Sequence, residues 1–304
     1  MSSGSKQILQ IAKETIFGVT PSPFARKAIP FTSIDLNSAT NKADSASILD
    51  SRLAQRGAVV GVNHEGSLEA EARFGLYDDL LASAACNEWA VNTLTFGGDA
   101  KISLSIVRGY KDAENFHTFA GTIANTFELT VATESISTFN FGLMSKSRTP
   151  AAVIPVGVVT TPVIPPPYTN VSVGDILVDG VSQAGVACIS DFSFMWDNST
   201  EVQRCLGQGV NAGNLIPKMA NGSGTMTMAW SKKAWELFEK QYANTLISIV
   251  VPFLDTEGNG YTLTIPKAEF TAALPNGGND DILQVSVEYR TVEQSPTLLR
   301  IPKV

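Results

Sequence analysis

Two adjacent carboxylates, Asp78 and Asp79, are the most evident candidates for chemistry in this sequence. A carboxylate pair can share general-acid and general-base roles, or it can bind a divalent cation. The pair stands where alternating apolar residues give way to helical spacing, so both aspartates would lie in a first helical turn. Adjacent helical residues point about 100° apart, which keeps the two carboxylates from converging on one proton or metal. Acidic residues in a first turn are stabilised by the helix dipole, and we therefore expect a structural role.

The histidines and cysteines are too few and too scattered to indicate a catalytic or metal site. His64 and His117 are the only histidines, and neither belongs to a cluster such as H-E-x-x-H. His64 follows Asn63 in a predicted turn, where we expect it to be solvated. The odd number and wide spacing of the cysteines argue against a complete disulfide framework and favour buried thiols. The cysteines are Cys86, Cys188 and Cys205.

One loop superficially resembles a calcium-binding loop. Asp255, Glu257, Asn259 and Gly260 occupy its first, third, fifth and sixth positions. The twelfth position, where a bidentate glutamate belongs, is Pro266, and apolar strand-like segments flank the loop. We therefore predict a hairpin loop. The sequence also contains no G-x-S-x-G, P-loop or G-x-G-x-x-G motif, so we expect neither enzymatic activity nor a cofactor.

Composition predicts a folded protein with little attraction for nucleic acid. Hydrophobic residues make up 44% of the 304 residues and charged residues 17%, which allows a substantial core. The formal net charge of −7 gives no electrostatic reason to bind DNA tightly. The N-terminus lacks the apolar core of a signal peptide, and the most apolar run, residues 151–167, is short and rich in proline. We expect synthesis in the cytoplasm and no membrane role.

An internal repeat organises the chain. Residues 56–74 align with residues 212–230 at one constant offset, which places Gly66-Ser67 on Gly222-Ser223. Upstream, residues 31–38 resemble residues 192–199. A helix-like block and three strand-like blocks then follow in the same order in both halves.

Each half therefore predicts a strand, a long loop, a strand, a helix and three further strands. The strands alternate between apolar and polar residues, as in Phe127, Leu129 and Val131 against their neighbours. We predict a mainly β (α+β) protein with a first domain at 1–148, a proline-rich linker or arm at 149–184 and a second domain at 185–304 that includes a C-terminal arm. The second half keeps an amphipathic helix but has no adjacent acid pair, which again favours a structural role for Asp78 and Asp79.

Several short segments resemble the major tail tube proteins of long-tailed bacteriophages. In the first half these are "GSL" before an alternating strand, "YDDLL" at the start of a helix, and "NTFEL". In the second half, "SFMWDNSTEVQRCLG" and the final "VEYR" follow the same pattern. The resemblance covers most of both halves.

This resemblance implies a β-sandwich with a helix on its flank and arms that reach neighbouring subunits. In that family six units form a ring, the inner sheets join into a β-barrel, and stacked rings conduct DNA through a hollow tube. Two tube domains per chain would give six quasi-equivalent units from three chains, so we expect a homotrimeric ring in the virion tail, with a homohexamer as the alternative. The implied partners are further copies of the chain, tape-measure, terminator and distal tail proteins, and DNA in transit.

Alternation suggests which residues would face such a channel. Glu69 and Glu71 share one strand face with Ala70 and Ala72 opposite, and Thr225 and Thr227 are their counterparts in the second half. We expect these four residues to face the lumen, although the same alternation fits an outer solvated face.

We expect assembly contacts from apolar or extended arms outside the repeated blocks, which are residues 8–24, 37–57, the linker and residues 295–304. Two competing functions remain open. One is another phage tail or capsid component, such as a terminator, decoration or adhesion protein. The other is a carbohydrate-binding protein that stacks sugars on its tryptophans, Trp89, Trp196, Trp230 and Trp235. Because Trp230 and Trp235 fall in the repeated strand–helix blocks, we expect these two to pack in the core instead.

Overall fold

The computed structural model describes residues 3–48, 50, 52–185 and 187–303. Most of the regular structure is β. The helices are α1 (Asp78–Ala85) and α2 (Lys232–Lys240), with short 3-10 turns at Gly4–Lys6, Asn170–Ser172 and Gln241–Ala243. The strands are β1 (Gln7–Lys13), β2 (Arg26–Ala28), β3 (Ser33–Ile34), β4 (Asn37–Ala43), β5 (Ala58–Glu71), β6 (Thr93–Thr95), β7 (Leu104–Tyr110), β8 (Asn115–Ala132), β9 (Thr138–Ser145), β10 (Ser147–Ala151), β11 (Val159–Thr160), β12 (Leu177–Val178), β13 (Val181–Ser182), β14 (Ile189–Asp197), β15 (Glu201–Gln203), β16 (Asn214–Ile216), β17 (Asn221–Ala229), β18 (Ile247–Leu254), β19 (Gly260–Ala272), β20 (Gln284–Thr291) and β21 (Thr297–Ile301).

One antiparallel sheet runs through the whole molecule. Its strands follow the order β3/β4, β5, β9, β8, β14, β17, β20, β19. The sheet consists of two groups of four positions with the same topology. In each group the chain forms the first position, then the second, then the fourth and finally the third. The β8–β14 pairing joins the two groups, so residues far apart in sequence share one continuous surface.

The two long strands β8 and β19 pass from this sheet into a second layer. The early part of β8 pairs with β7 and β10, while its later part pairs with β9 and β14. In the same way, the early part of β19 pairs with β18 and β21, and its later part with β20. Irregularities of register in the β8–β9 and β18–β19 pairs mark the bends, as β-bulges commonly do.

The core fills the space between these layers. Alternation along β8 is confirmed, because Phe127, Leu129 and Val131 are buried while Glu128 and Thr130 are not. The rings of Phe127, Phe139, Phe141 and Phe194 lie within about 5–7 Å of one another in edge-on and tilted contacts, the geometry that aromatic packing favours.

The two helices cover the core differently. Every residue from Leu80 to Ala85 in α1 is buried, which explains its short, almost entirely apolar sequence. In contrast, α2 buries one face only and is capped by Ser231, whose side chain accepts a hydrogen bond from the Ala234 amide. Among the described residues, no helix is long and apolar enough to cross a membrane.

All four expected assembly segments are at least partly in strands of the chain itself. The linker includes β11, which pairs with β2, and β12, which pairs with β18. Residues 7–13 form β1, which pairs with β2 and β7, and Ile11 is fully buried. Residues 297–301 form β21, paired with β19 and β6. The expected loop 37–57 begins as β4, and its residues 49 and 51 lie outside the described part. The expectation that residues 8–13 and 297–301 are free arms was wrong, because their apolar side chains complete the core.

Candidate functional site

The most extensive chemical feature is the solvent-exposed face of the eight-position sheet. Residues directly opposite one another on neighbouring strands point to the same side, so the register defines rows that cross the sheet. The first row is Ser33, Glu69, Asn140, Glu128, Met195, Ser223, Arg290, Glu269. The second row is Glu71, Thr138, Thr130, Ser193, Thr225, Glu288, Thr271, and the third is Ala132, Asp191, Thr227, Ser286. We refer to these three rows as the polar face.

The polar face is acidic. Its rows contain six carboxylates and one guanidinium, that of Arg290, whose charge is offset by an ion pair of 2.6 Å with Glu269. Arg73, which lies just beyond the rows, forms an ion pair with Glu71, so five of these carboxylates have no cation from outside the rows paired with them in the part of the chain that the structure describes. Hydroxyl side chains occupy most of the remaining positions. The opposite side of the same strands is apolar, since Leu68, Ala70 and Met226 are fully buried. Such a surface repels phosphate and offers hydroxyls that exchange hydrogen bonds readily with water.

The four residues that the sequence singled out all lie on this face. Glu69 is in the first row, Glu71 and Thr225 are in the second, and Thr227 is in the third. All four are exposed or half-buried. Sequence alternation found them, but it did not reveal that the two pairs belong to one surface, because that depends on the β8–β14 pairing.

Asp78 acts as a tie between distant parts of the chain. Its Oδ1 accepts a hydrogen bond of 2.6 Å from the Tyr261 hydroxyl, and its Oδ2 forms an ion pair of 2.6 Å with Arg300. The Arg300 guanidinium also lies 4.3 Å from the ring of Trp89, and the Trp89 indole donates to the Asp78 carbonyl. Burial and the nearby Asp78 charge raise the pKa of Tyr261 well above its usual value, so the hydroxyl stays a donor.

Asp79 has different surroundings. Burial raises the pKa of its carboxyl, and the nearby Lys27 opposes this shift. The Lys27 ammonium instead donates to the carbonyls of Gly75 and Leu76, at 2.9 Å each. The hydrogen bond and ion pair of Asp78 are therefore not shared with Asp79, although Lys27 acts electrostatically on both carboxyls.

His64 was wrongly expected in a solvated turn. It lies within β5, is 6% exposed, and contacts the Ser38 hydroxyl at 2.8 Å and the Asn211 amide oxygen at 3.2 Å. Burial lowers the pKa of His64, and the nearby Arg148 and Arg204 add to this effect. The error arose because Asn63 suggested a turn, whereas β5 continues through this position with its polar side chains paired.

The other candidate sites are structural or dispersed. Asp255 is buried, and its Oδ1 accepts hydrogen bonds of 2.8 Å from the amides of Glu257 and Asn259, which holds the β18–β19 hairpin. Among the described residues, no group of three or more His, Cys, Asp or Glu side chains is placed to hold a metal ion. The expectation of buried thiols is correct for Cys86 but wrong for Cys188 and Cys205, which are exposed.

The tryptophans do not form a sugar-binding platform. Trp196 is 4% exposed and Trp89 and Trp230 pack against the core, while Trp235 is about half exposed on α2. Trp235 was expected in the core. It lies on the outer face of its helix instead.

The fold therefore defines a mainly β protein whose longest sheet exposes one broad acidic face. Residues 4–291 match the family described as phage tail tube protein. The chain belongs to this family and is a structural component of the phage tail. A comparison with curated proteins found no match.

Proposed function

We propose that the chain builds the tail tube from rings of three copies, that the rings stack into a hollow cylinder, and that DNA passes through it to the host. The observation that carries this proposal is the continuous sheet in which the same strand order occurs twice. Each chain then supplies two quasi-equivalent units, and three chains supply six.

The dimensions support this arrangement. Three chains with eight strand positions each would form a barrel of about 24 strands. At about 4.8 Å between strands, its circumference is about 115 Å and its diameter about 37 Å before strand tilt widens it. Such a channel has room for a DNA duplex. Closure of the sheet would also remove its two open edges.

The charge of the polar face supports a position on the channel wall. A surface with six carboxylates and one paired guanidinium does not neutralise phosphates, so it gains nothing from release of counterions. DNA would therefore pass without being held. The ends of the tube would meet terminator and distal tail proteins, and a tape-measure protein would occupy the channel during assembly.

Electron microscopy of the purified chain tests this function. Alone or with its tape-measure partner, it should polymerise into hollow tubes, and rotational averaging of single rings should give three chains in six similar units. Solid fibres or isolated globular particles, under conditions where the protein is folded, would contradict the proposal. A ring of six whole chains would contradict the stoichiometry alone.

A further inference from the structure

The chain contains one joint between its two strand groups, and this joint has a defined register. Strand β14 pairs with β8 from Asp191 opposite Ala132 to Asp197 opposite Thr126. On the buried side, Trp196 lies opposite Phe127 and Phe194 opposite Leu129. The residues after β14 continue the joint, since the Asn198 side chain donates to the carbonyl of Ala84 at the end of α1, at 2.8 Å.

The sheet also has two open ends. At one end, residues 269–272 of β19 pair with β20, and no strand of the described residues pairs with their other side. At the other end, β3 pairs with β5 alone among the described strands. Open edges of this kind are templates for a further strand.

The positions of these two ends correspond to the two sides of the internal joint. Phe127 on β8 lies opposite Phe141 on β9, which lies opposite Leu68 on β5. In the same way, Phe270 on β19 lies opposite Tyr289 on β20, which lies opposite Gly224 on β17. The repeat offset that places Gly66 on Gly222 also places Leu68 on Gly224, so Phe270 occupies the position of Phe127.

By the same offset, Ile34 occupies the position of Phe194. Ile34 is opposite Leu68, and Phe194 is opposite Gly224. Leu36, two residues further on, corresponds to Trp196.

At both open ends, backbone amides and carbonyls point away from the neighbouring strand of the same chain, as pairing with a further strand requires. The Ala272 amide is directed away from β20 and donates to the Gln241 side chain at 3.1 Å, so alternate residues of β19 present their amides and carbonyls to the open side. Just after β3, the Asp35 amide donates to Ser67 on β5 at 3.0 Å, which directs the backbone groups of Ile34 and Leu36 away from β5. The Leu36 carbonyl accepts a hydrogen bond from Arg108 at 2.7 Å, and a docking strand would replace this bond. When the register of the β8–β14 joint is applied to these two ends, the residues whose backbone amides and carbonyls point away from the sheet lie opposite one another.

The side chains are compatible with the same register. Leu36 would lie opposite Phe270, and Ile34 opposite Ala272, as apolar pairs. On the polar face, Asp35 would lie opposite Thr271 and Asn37 opposite Glu269, so no carboxylate faces another.

A groove runs along the open side of β19. Its wall is the segment that follows α2, from Gln241 to Leu246, and its floor includes Phe270. Tyr242 is 73% exposed there. In the first half of the chain, the corresponding region is the end of α1 and the segment after it, where Asn198 donates to the Ala84 carbonyl and Trp196 packs against Phe96. The exposed ring of Tyr242 is therefore available to the strand that docks.

We propose that residues 269–272 of one chain pair antiparallel with residues 34–37 of a second copy, with Asp35 opposite Thr271, so that the joint between chains repeats the β8–β14 joint within each chain. The occupant is a second copy, because residues 34–37 of this chain occupy the repeat positions that residues 194–197 of β14 occupy in the internal joint. The joint is head-to-tail, which closes into a ring or continues as a filament. It rests on the proposed tube function and names the contact that would build each ring.

Disulfide formation between introduced cysteines tests this register in assembled tubes. The exposed native thiols are first removed by Cys188→Ser and Cys205→Ser, and the test pair is Asp35→Cys with Thr271→Cys. A disulfide requires Cα atoms about 4.4–6.8 Å apart, which opposite residues meet and residues displaced by two positions generally do not. Oxidised tubes should give covalent dimers and trimers. The matched pair Asp35→Cys with Ala273→Cys should give few, and each single variant should give none between these strands.

Imaging of unsubstituted tubes at high resolution tests the same contact without cysteines. The map should show β19 of one chain beside residues 34–37 of the next, with Asp35 next to Thr271. Tubes in which another edge or another register forms the joint, or in which the displaced cysteine pair links instead, would overturn this inference and leave the tube function standing. Absence of rings and tubes from the folded unsubstituted chain would overturn both. Covalent ladders that extend to six chains would keep the joint and reject the three-chain ring.

Discussion

At the scale of single residues, the adjacent aspartates illustrate how much a local pattern can predict. Their position in a first helical turn was sufficient to argue against shared chemistry, and the structure gives them separate surroundings. The partners of Asp78 could not be predicted locally, because Tyr261 and Arg300 are 183 and 222 residues away along the chain. Only the tertiary fold brings these side chains together.

Substitution of Asp78 tests its role as a tie. Asp78→Asn should lower the free energy of unfolding by about 2 kcal/mol, because Arg300 loses its ion pair while both groups are largely shielded from water. Chemical denaturation of the purified chain measures this value.

Asp79→Asn is the matched control. The ionised form of Asp79 is already disfavoured by burial, so its loss should change stability by no more than about 0.5 kcal/mol. Equal costs for the two substitutions would show that the Asp78 contacts do not contribute as described.

At the scale of elements, periodicity predicted the strands that are apolar on one face and missed those whose pairing depends on distant segments. The alternation of Phe127, Leu129 and Val131 identified β8, and the helical spacing after Asp78 identified α1. By contrast, β1 and β21 were taken for arms, because nothing in their sequence distinguishes an apolar arm from an apolar edge strand. Their partners β7 and β19 are also nonlocal.

The C-terminal strand provides a test at this scale. Leu298 is 4% exposed between β19 and β6, so Leu298→Ala should cost about 2–4 kcal/mol of stability. The neighbouring Leu299 is 42% exposed, and Leu299→Ala should cost no more than about 0.5 kcal/mol. Thermal or chemical unfolding distinguishes the two variants. Similar small effects from both would mean that β21 docks loosely and behaves as an arm.

At the scale of the whole molecule, the sequence predicted the acidic character of individual positions but not the surface they form. Glu69 and Glu71 follow from alternation in one strand. Their continuity with Glu128, Asp191 and Glu288 follows only from the order of eight strand positions, which no period in the sequence specifies. The family match agrees with this architecture at a coarser level.

Charge reversal tests the proposed position of the polar face. In phage that carry Glu69→Lys with Glu71→Lys, tubes should still assemble, since both side chains lie on the exposed side of β5. DNA passage should fall about tenfold or more, because lysines on the wall would bind phosphates. Ejection of DNA from purified virions, and plaque counts per assembled particle, measure the effect.

The control changes two acids away from that face, Glu239 on α2 and Asp280 in the β19–β20 loop, to lysine. This variant has the same change in net charge and should eject DNA normally. Normal ejection by the Glu69 and Glu71 variant, with its tubes seen by microscopy, would place those residues on an outer surface.

The β8–β14 pairing has a consequence for the concentration at which rings form. Two subunits that associate from solution lose translational and rotational freedom worth about 4–15 kcal/mol. Strands on one chain meet at an effective concentration set by the connecting segment, and they do so while the chain folds. In a ring of three such chains, half of the six joints are therefore complete before any encounter, and only three depend on protein concentration. A fused pair of units should close its rings at subunit concentrations where six separate units would remain dispersed.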